Sequence, residues 1–365
     1  MAEPKRVKES EYIEWAKTRS QAEFNLATSG VANYSLTDLP VRLEDLEISG
    51  ASWYGYEPLQ QALAAKCGVA TENVVAATGT SMANHLAMAA ILNPGDEVLI
   101  EHPTYDPILA TAHYLGANVK RIERRLENGF RVEPEVVERA ISSRTRLIVL
   151  TNLHNPSSAL IDIDALRRIG EIAQRVGARV LIDEVYLEAL FDQPAPFAFH
   201  LGDQFVTTGS LTKAYGLSGL RCGWILAEAE LAKRMWRLND LFGNIPAHPA
   251  ERLSVIALEN LDSIRARART LIETNRRALD QFLDSRDDLE TVRSGLGTVV
   301  FPRLKYGRVS DLCATLRDKY ETTVVPGEFF EMPDHIRIGI GCDSTMLAGG
   351  LERLSAALDE LNRER

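Results

Sequence analysis

The sequence predicts an α/β protein with a mostly parallel central sheet, helices on both of its faces, and a second, smaller α/β domain. Three observations lead there. Between Val74 and Tyr186, short aliphatic and β-branched runs alternate with longer helical segments. Continuous apolar runs of this kind belong to strands covered on both faces. After Trp224 the character changes to long amphipathic helices, and from Val299 onward short strand-like runs return. A chain of 365 residues, 45% apolar and 25% charged, has the length and balance to bury the cores this requires.

Taken in order, residues 1–20 are polar and charged and form a first helix or a loose arm. Phe24 to Tyr34 is a small-residue loop containing Gly30, where a turn glycine is one reading. An aromatic turn with Trp53, Tyr54 and Tyr56 feeds an amphipathic helix over Pro58 to Lys66. The expected strands are Val74–Thr78, Val98–Glu101, Val119–Ile122, Leu147–Leu150 and Val180–Ile182, followed by a β-prone run at Phe205–Thr208. The helix after Asp162 carries its own start and stop: Asp162 or Asp164 as cap, Leu166, Ile169, Ile172 and Val176 on one face, and Gly177 at the end. Asn93-Pro94-Gly95 ends the preceding helix in the same manner. From about Arg252 to Leu283, in a region of long helices, one apolar stripe runs under a charged face that includes Arg265, Arg267 and Arg269, read as a solvated helix face. Strands near Thr298–Phe301, Thr323–Val325 and Ile336–Ile340 and a last helix from Ser344 complete the chain. The expected division is a large domain at 46–250 and a small one from 1–45 and 251–365.

A formal net charge of −10 argues against a general nucleic-acid or anionic-membrane surface. No apolar run approaches the roughly 18 residues of a membrane span, and the N-terminal stretch lacks the apolar core of a signal peptide, so a cytoplasmic location is expected. Cys67, Cys222, Cys313 and Cys342 form no CxxC pair and the histidines no HxxH or HExxH spacing. Neither a disulfide framework nor a metal site is expected.

The chemistry concentrates in Thr207 to Trp224, TTGSLTKAYGLSGLRCGW. A β-prone run delivers Lys213 into a loop of small residues, with Arg221 eight positions on. A lysine amine attacks a carbonyl only when unprotonated, so desolvation or neighbouring positive charge must lower its ordinary pKa of about 10.4. Arg221 can supply that charge and can also clamp a phosphate bidentately. Thr78-Gly79-Thr80-Ser81 lies where a strand ends and a helix begins, a junction whose free N–H groups and dipole favour phosphate. Asp183, in VLIDEVY, stands at the C-terminal end of a buried strand, where ligands of open α/β sheets collect.

With Ser210, Lys213 and Arg221 in register, this segment resembles the cofactor-lysine segment of class I/II aminotransferases, aspartate aminotransferase-like enzymes of fold type I that use pyridoxal 5'-phosphate. The resemblance runs from about Asn25 to Asp343. It implies that Lys213 carries the cofactor as an internal aldimine and serves as general base. It places the phosphate on Gly79, Thr80 and Ser81 with Ser210 and Arg221, and pairs Asp183 with the pyridine nitrogen. It sets Asn155 and Tyr186 at the phenolic oxygen and Tyr105 flat against the ring. Arg337, in HIRIGIG, receives the substrate α-carboxylate, and Gly30 and Asn155 lie beside the substrate. A tyrosine is expected to reach the neighbouring subunit's phosphate, with Tyr54 the choice and Trp53 and Tyr56 its competitors. A homodimer with shared active sites follows from the same resemblance.

The implied reaction moves an amino group between an L-amino acid and a 2-oxo acid. A lyase, decarboxylase or synthase using the same cofactor is the alternative, and a non-catalytic amino-acid-sensing domain is a further one. Where the family commonly reads Asn-Pro-Thr-Gly, this sequence reads Asn155-Pro156-Ser157-Ser158, which alters the expected turn. No second arginine for a dicarboxylate side chain is evident.

Overall fold

The computed structural model of the chain describes residues 8–192 and 194–363; residues 1–7 of the expected N-terminal arm lie outside the described residues. The arm contains a short helix, Glu11–Thr18 (α1), whose first turn is capped by the Ser10 side chain, and a two-residue strand, Phe24–Asn25 (β1). Helix Glu57–Cys67 (α2) leads into the central sheet.

That sheet is built from Val74–Thr78 (β2), Glu97–His102 (β3), Asn118–Glu123 (β4), Thr145–Thr151 (β5), Arg179–Asp183 (β6), Phe205–Ser210 (β7) and Cys222–Leu226 (β8), in the order β2-β8-β7-β6-β5-β3-β4. Every pairing is parallel except the two made by β8. Helices Gly79–Ile91 (α3), Asp106–Tyr114 (α4), Pro134–Ala140 (α5), Ile163–Val176 (α6) and Ala229–Asn239 (α7) cover it. The alternation of side chains along each strand divides the apolar residues between two layers. Val98, Ile100, Leu147, Val149 and Leu181 pack with Leu86 of α3 and Met235 of α7. Leu99, Ile148, Leu150, Val180 and Ile182 pack with Val137 of α5 and Leu166, Ile169 and Ile172 of α6. Each such side chain, fully buried, contributes about 1.5–3 kcal/mol, which is why these strands are apolar on both faces.

The expected strands between Val74 and Ile182 are present, each within two residues of its expected ends. At α6, Asp162 Oδ1 accepts the Asp164 N–H at 2.8 Å, and Gly177 takes the left-handed conformation (φ 72°) that ends the helix. β8 is not among the expected strands, because its glycine- and arginine-containing neighbourhood reads as loop.

The region after β8 departs from the sequence reading twice. The apolar stripe read from Arg252 to Leu283 does not run along one uninterrupted helix: it spans two, His248–Glu259 (α8) and Leu261–Asp284 (α9). Asn260 interrupts them, its side chain turned back onto the Ile256 carbonyl at 2.8 Å, the kind of local competition that makes asparagine a helix breaker. The face with Arg265, Arg267 and Arg269 is not simply solvated either. Arg265 and Arg267 are half-buried and donate to the carbonyls of Phe191 and of Ala32 and Asn33. Arg269 is exposed, pairing with Asp192 and Glu273.

A second core lies beyond. Leu289–Glu290 (β9), Val299–Val300 (β10), Arg303–Leu304 (β11), Val309–Tyr320 (α10), Thr322–Thr323 (β12), Val325–Pro326 (β13), Ile336–Gly339 (β14) and Ser344–Arg363 (α11) surround it. β14 is central, antiparallel to β10 and β13, and β1 pairs parallel with β12. Through that pairing Leu26 and Val31 of the N-terminal arm join the core formed by Ala268, Leu279, Leu316, Ile338 and Leu354. The residues that follow β1 are thereby carried to the edge of the central sheet, beside Lys213.

Candidate active site

The C-terminal ends of β2, β6 and β7 open onto a cavity of about 200 Å³. Thr80, Ser81, Tyr105, Asn155, Asp183, Tyr186, Ser210, Lys213 and Arg221 all line it. A larger cleft of about 770 Å³, between α1, α4 and α10, shares no lining residue with it and holds none of the residues singled out from sequence.

At one end, Gly79 starts α3 with φ 78°, and a Cβ there would come within 2.3 Å of Arg221 Nη2. The helix N-terminus and the guanidinium thus converge on one space. Arg221 holds a left-handed conformation (φ 49°), and its hydrogen bonds go to the carbonyls of Ser218 and Thr78. The Thr80 hydroxyl is buried and has no hydrogen-bond partner. Ser210 is buried at the end of β7.

Asp183 is 4% exposed. Its Oδ2 accepts from Asn84 Nδ2 at 2.8 Å, Asn84 Oδ1 accepts from the Thr208 hydroxyl at 2.7 Å, and Asp183 Oδ1 accepts the Val185 N–H at 3.1 Å. Burial pushes its carboxyl up to about 6, against the Asn84 and Val185 hydrogen bonds and the charge of Lys213. Two donors aimed at one carboxylate hold it in place for a cationic partner.

Lys213 Nζ donates to Ser29 Oγ at 3.1 Å, and the Tyr186 hydroxyl donates to the same oxygen at 2.7 Å. Burial is the main cause lowering the amine's pKa, which favours the neutral, nucleophilic form; Arg337 and Arg221 act in the same direction. Gly30 lies directly against this lysine: a Cβ would sit 3.4 Å from Lys213 Cα and Cδ, and the Val31 N–H donates to the Lys213 carbonyl at 2.8 Å.

Arg337, on β14, is fully buried. Nη1 donates to Asn155 Oδ1 at 2.9 Å, and Nη2 to the Tyr12 hydroxyl at 2.9 Å and the Ala27 carbonyl at 2.8 Å. No carboxylate pairs with it among the described residues. The Asn155 loop is held from below by His154, whose ring nitrogens contact Ser157 Oγ at 2.6 Å and the Pro103 carbonyl at 2.9 Å. The missing glycine of this loop is replaced in kind: Ser158 itself takes φ 57°. Its hydroxyl also donates to the Val299 carbonyl at 2.8 Å, tying the loop to β10.

The aromatic turn is not brought to this cavity. Tyr54 is 53% exposed and packs edge-on against Trp236, Trp53 is exposed, and Tyr56 packs on His248. In the single chain none of the three lines the site. Sequence reasoning missed Asn84, Thr208, Ser29 and Tyr12. Asn84 has a signal in retrospect, a lone amide on the apolar face of α3; the N-terminal residues have none.

Pyridoxal 5'-phosphate, the cofactor implied by the resemblance, fits these residues. A phosphate ester matches the unpaired Thr80 hydroxyl, the free N–H groups of α3 and Arg221. A basic ring nitrogen matches Asp183, and an aldehyde matches the Lys213 amine. Among the described residues no cluster of three or more histidine, cysteine or acidic side chains could hold a metal ion, and no helix is long and apolar enough to cross a membrane.

Comparison with known proteins gives concordant findings. The sequence model of the family described as aminotransferase class I and II matches residues 49–354. Capreomycidine synthase of Streptomyces vinaceus is 31% identical, over 96% of this chain and 94% of that protein. The arginine–pyruvate transaminase AruH of Pseudomonas aeruginosa is 29% identical, over 80% of this chain and 76% of that one. The crystal structure of a PLP-dependent aminotransferase from Streptococcus suis 89-1591 superposes with a TM-score of 0.91 at 26% identity, covering 99% of both chains.

Proposed function

The chain belongs to the class I and II aminotransferase family, whose members depend on pyridoxal phosphate, and on that premise we propose that it is an aminotransferase moving an amino group between an L-amino acid and a 2-oxo acid. The observation that carries this reading is the meeting of Lys213 and Asp183 in one small cavity, with Lys213 and Tyr186 sharing Ser29 and with Arg337 directly behind the lining residue Asn155, to which it is hydrogen-bonded. Bound there, the cofactor supplies an electron sink for the pair of electrons left when the substrate Cα loses its proton.

The protein's own residues do the rest. Gly79, Thr80, Ser81, Ser210 and Arg221 would hold the phosphate, and Asp183, steadied by Asn84, would keep the ring nitrogen protonated. Tyr105, Asn155 and Tyr186 would contact the ring and its phenolic oxygen. Arg337 takes the substrate α-carboxylate, which orients the Cα–H bond toward Lys213. The lysine, whose pKa burial lowers, takes the Cα proton as general base. Gly30 leaves the room that this movement of Lys213 needs. Closure of the second core's Arg337 over the substrate excludes water.

A second reading keeps all of this up to the loss of the Cα proton and ends differently, in a synthase reaction. The likeness to capreomycidine synthase favours it, since that match spans 96% of this chain whereas the transaminase AruH matches 80%. Products decide between them. Titrating the cofactor-loaded protein with single L-amino acids is expected to yield a 2-oxo acid and pyridoxamine phosphate in equal amounts, reversed by adding a 2-oxo acid. A rearranged or cyclised amino acid with no oxo acid would establish the synthase reading instead.

A homodimer completes the proposal. Leu43 (86% exposed), Ile48 (89%), Trp53 (86%) and Leu241 (78%) leave large apolar side chains in water, as interaction surfaces do. In that assembly Tyr54 is the residue offered to the neighbouring phosphate. Sedimentation equilibrium at micromolar concentration is expected to give twice the chain mass.

A further inference from the structure

The first turn of α1 reaches Arg337 and the cavity-lining Tyr105. Tyr12 is buried, its ring edge-on to Tyr105 at 5.6 Å and to Phe329 at 5.8 Å. Its hydroxyl oxygen accepts one hydrogen of Arg337 Nη2, and the second hydrogen of that nitrogen goes to the Ala27 carbonyl. Nη1 gives one hydrogen to Asn155 and Nε has no partner. The guanidinium is therefore a fully buried cation whose own bidentate fork is already half filled, with one Nη1 hydrogen and the Nε hydrogen left. A carboxylate cannot take a hydrogen from both Nη atoms unless Tyr12 or Ala27 yields, and Ala27 follows Leu26, whose N–H bonds the Thr323 carbonyl at 2.9 Å.

The Tyr12 hydroxyl has a hydrogen of its own, and among the described residues no acceptor receives it. We infer that Tyr12 is a ligand of the substrate α-carboxylate: its oxygen accepts from Arg337 while its O–H donates to the incoming carboxylate, alongside the remaining Arg337 N–H. The inference rests on the proposed reading of Arg337 and adds a second donor to it. It also gives α1 a role. Ser10 caps the helix, bonds Asp106 at the start of α4 and so fixes Tyr12 in position. The selectivity for an amino acid over the amine that lacks the carboxylate is then shared between β14 and the N-terminal helix.

Tyr12→Phe keeps the ring and removes only the hydroxyl. The experiment measures dissociation constants of the cofactor-loaded wild type and variant for a panel of the twenty L-amino acids, read by change in cofactor absorbance. For each responder, the amine lacking its carboxylate is measured beside it. A hydrogen bond to a charged group is worth about 1.5–3 kcal/mol, so amino-acid binding is expected to weaken about tenfold or more, with cofactor loading and amine binding unchanged. Equal or tighter amino-acid binding by Tyr12→Phe would overturn the inference and leave the reading of Arg337 standing. Equal losses for amino acid and amine would also overturn it, by showing a packing role. If no amino acid perturbs the wild-type spectrum, the proposed function itself fails, and the inference with it.

Discussion

The side of the site formed by Thr80, Ser81, Asp183 and Ser210 takes its residues from the ends of the neighbouring strands β6 and β7 and the first turn of α3, whereas the side around Arg337 joins β14 to α1 and to the residue after Leu26, partners 325 and 310 positions apart. The first is fixed by strand pairing: β6 and β7 hold Asp183 opposite Thr208 in register. Asn84, on the helix that leaves β2, bridges the two side chains. The second depends on the N-terminal arm pairing with β12 and on the packing of α1 against α4. One side is set by pairing within a single sheet, and the other is assembled from elements far apart in sequence. That division suits a site in which one side holds a permanent group and the other receives substrates that come and go.

Changes on the two sides should therefore separate in their effects. The largest is expected at the substrate side. Arg337→Lys keeps the charge and loses the planar fork, and should lower kcat/KM about a hundredfold, mainly through KM, with cofactor loading intact. A variant that lost its cofactor instead would break the distinction between the sides. Next comes Asn84→Ala, which leaves Asp183 Oδ2 without its buried donor. Cofactor affinity, followed by equilibrium dialysis, should fall about tenfold, while the KM of the loaded enzyme stays near that of the wild type.

The sheet side also carries a pH signature. Glu184, next to Asp183, is buried with one oxygen unpartnered, and burial pushes its carboxyl up to about 8. A carboxyl raised in this way, from its ordinary value of 4.5, contributes stability that is fully present below the unfolded pKa and lost as pH rises through the folded one. Melting temperature should decline between about pH 4.5 and 8, and Glu184→Gln should flatten that decline; a parallel slope in the variant would assign the effect elsewhere. The smallest effect is expected from Ser158→Gly. Glycine accepts the φ of 57° without strain, so only the hydrogen bond to Val299 is lost, about 1 kcal/mol in thermal unfolding.

The same contrast explains what the sequence made legible. The strands of the central sheet, the cap and stop of α6, and the segment around Lys213 are written in contiguous residues, because strand burial and helix termini leave local patterns. The break at Asn260 leaves none: the apolar stripe continues across it, and periodicity does not register one residue out of phase. Arg265 and Arg267 looked like solvent-facing charges because their partners are loop carbonyls more than 70 residues away. Tyr12 and Ser29 sit in an arm with no motif, and long-range contacts, the pairing of β1 with β12 and the packing of α1 on α4, carry them to the site. Ser158 shows the converse, a departure from the familiar Asn-Pro-Thr-Gly pattern in which the serine itself adopts a left-handed φ of 57°.

The central claim, that Lys213 is the residue to which the cofactor is attached, is tested most directly by borohydride reduction of the cofactor-loaded protein, followed by digestion and mass spectrometry. The account predicts one modified peptide, with the pyridoxyl group on Lys213. Modification of a different lysine, or none in a protein that has demonstrably bound the cofactor, would contradict it.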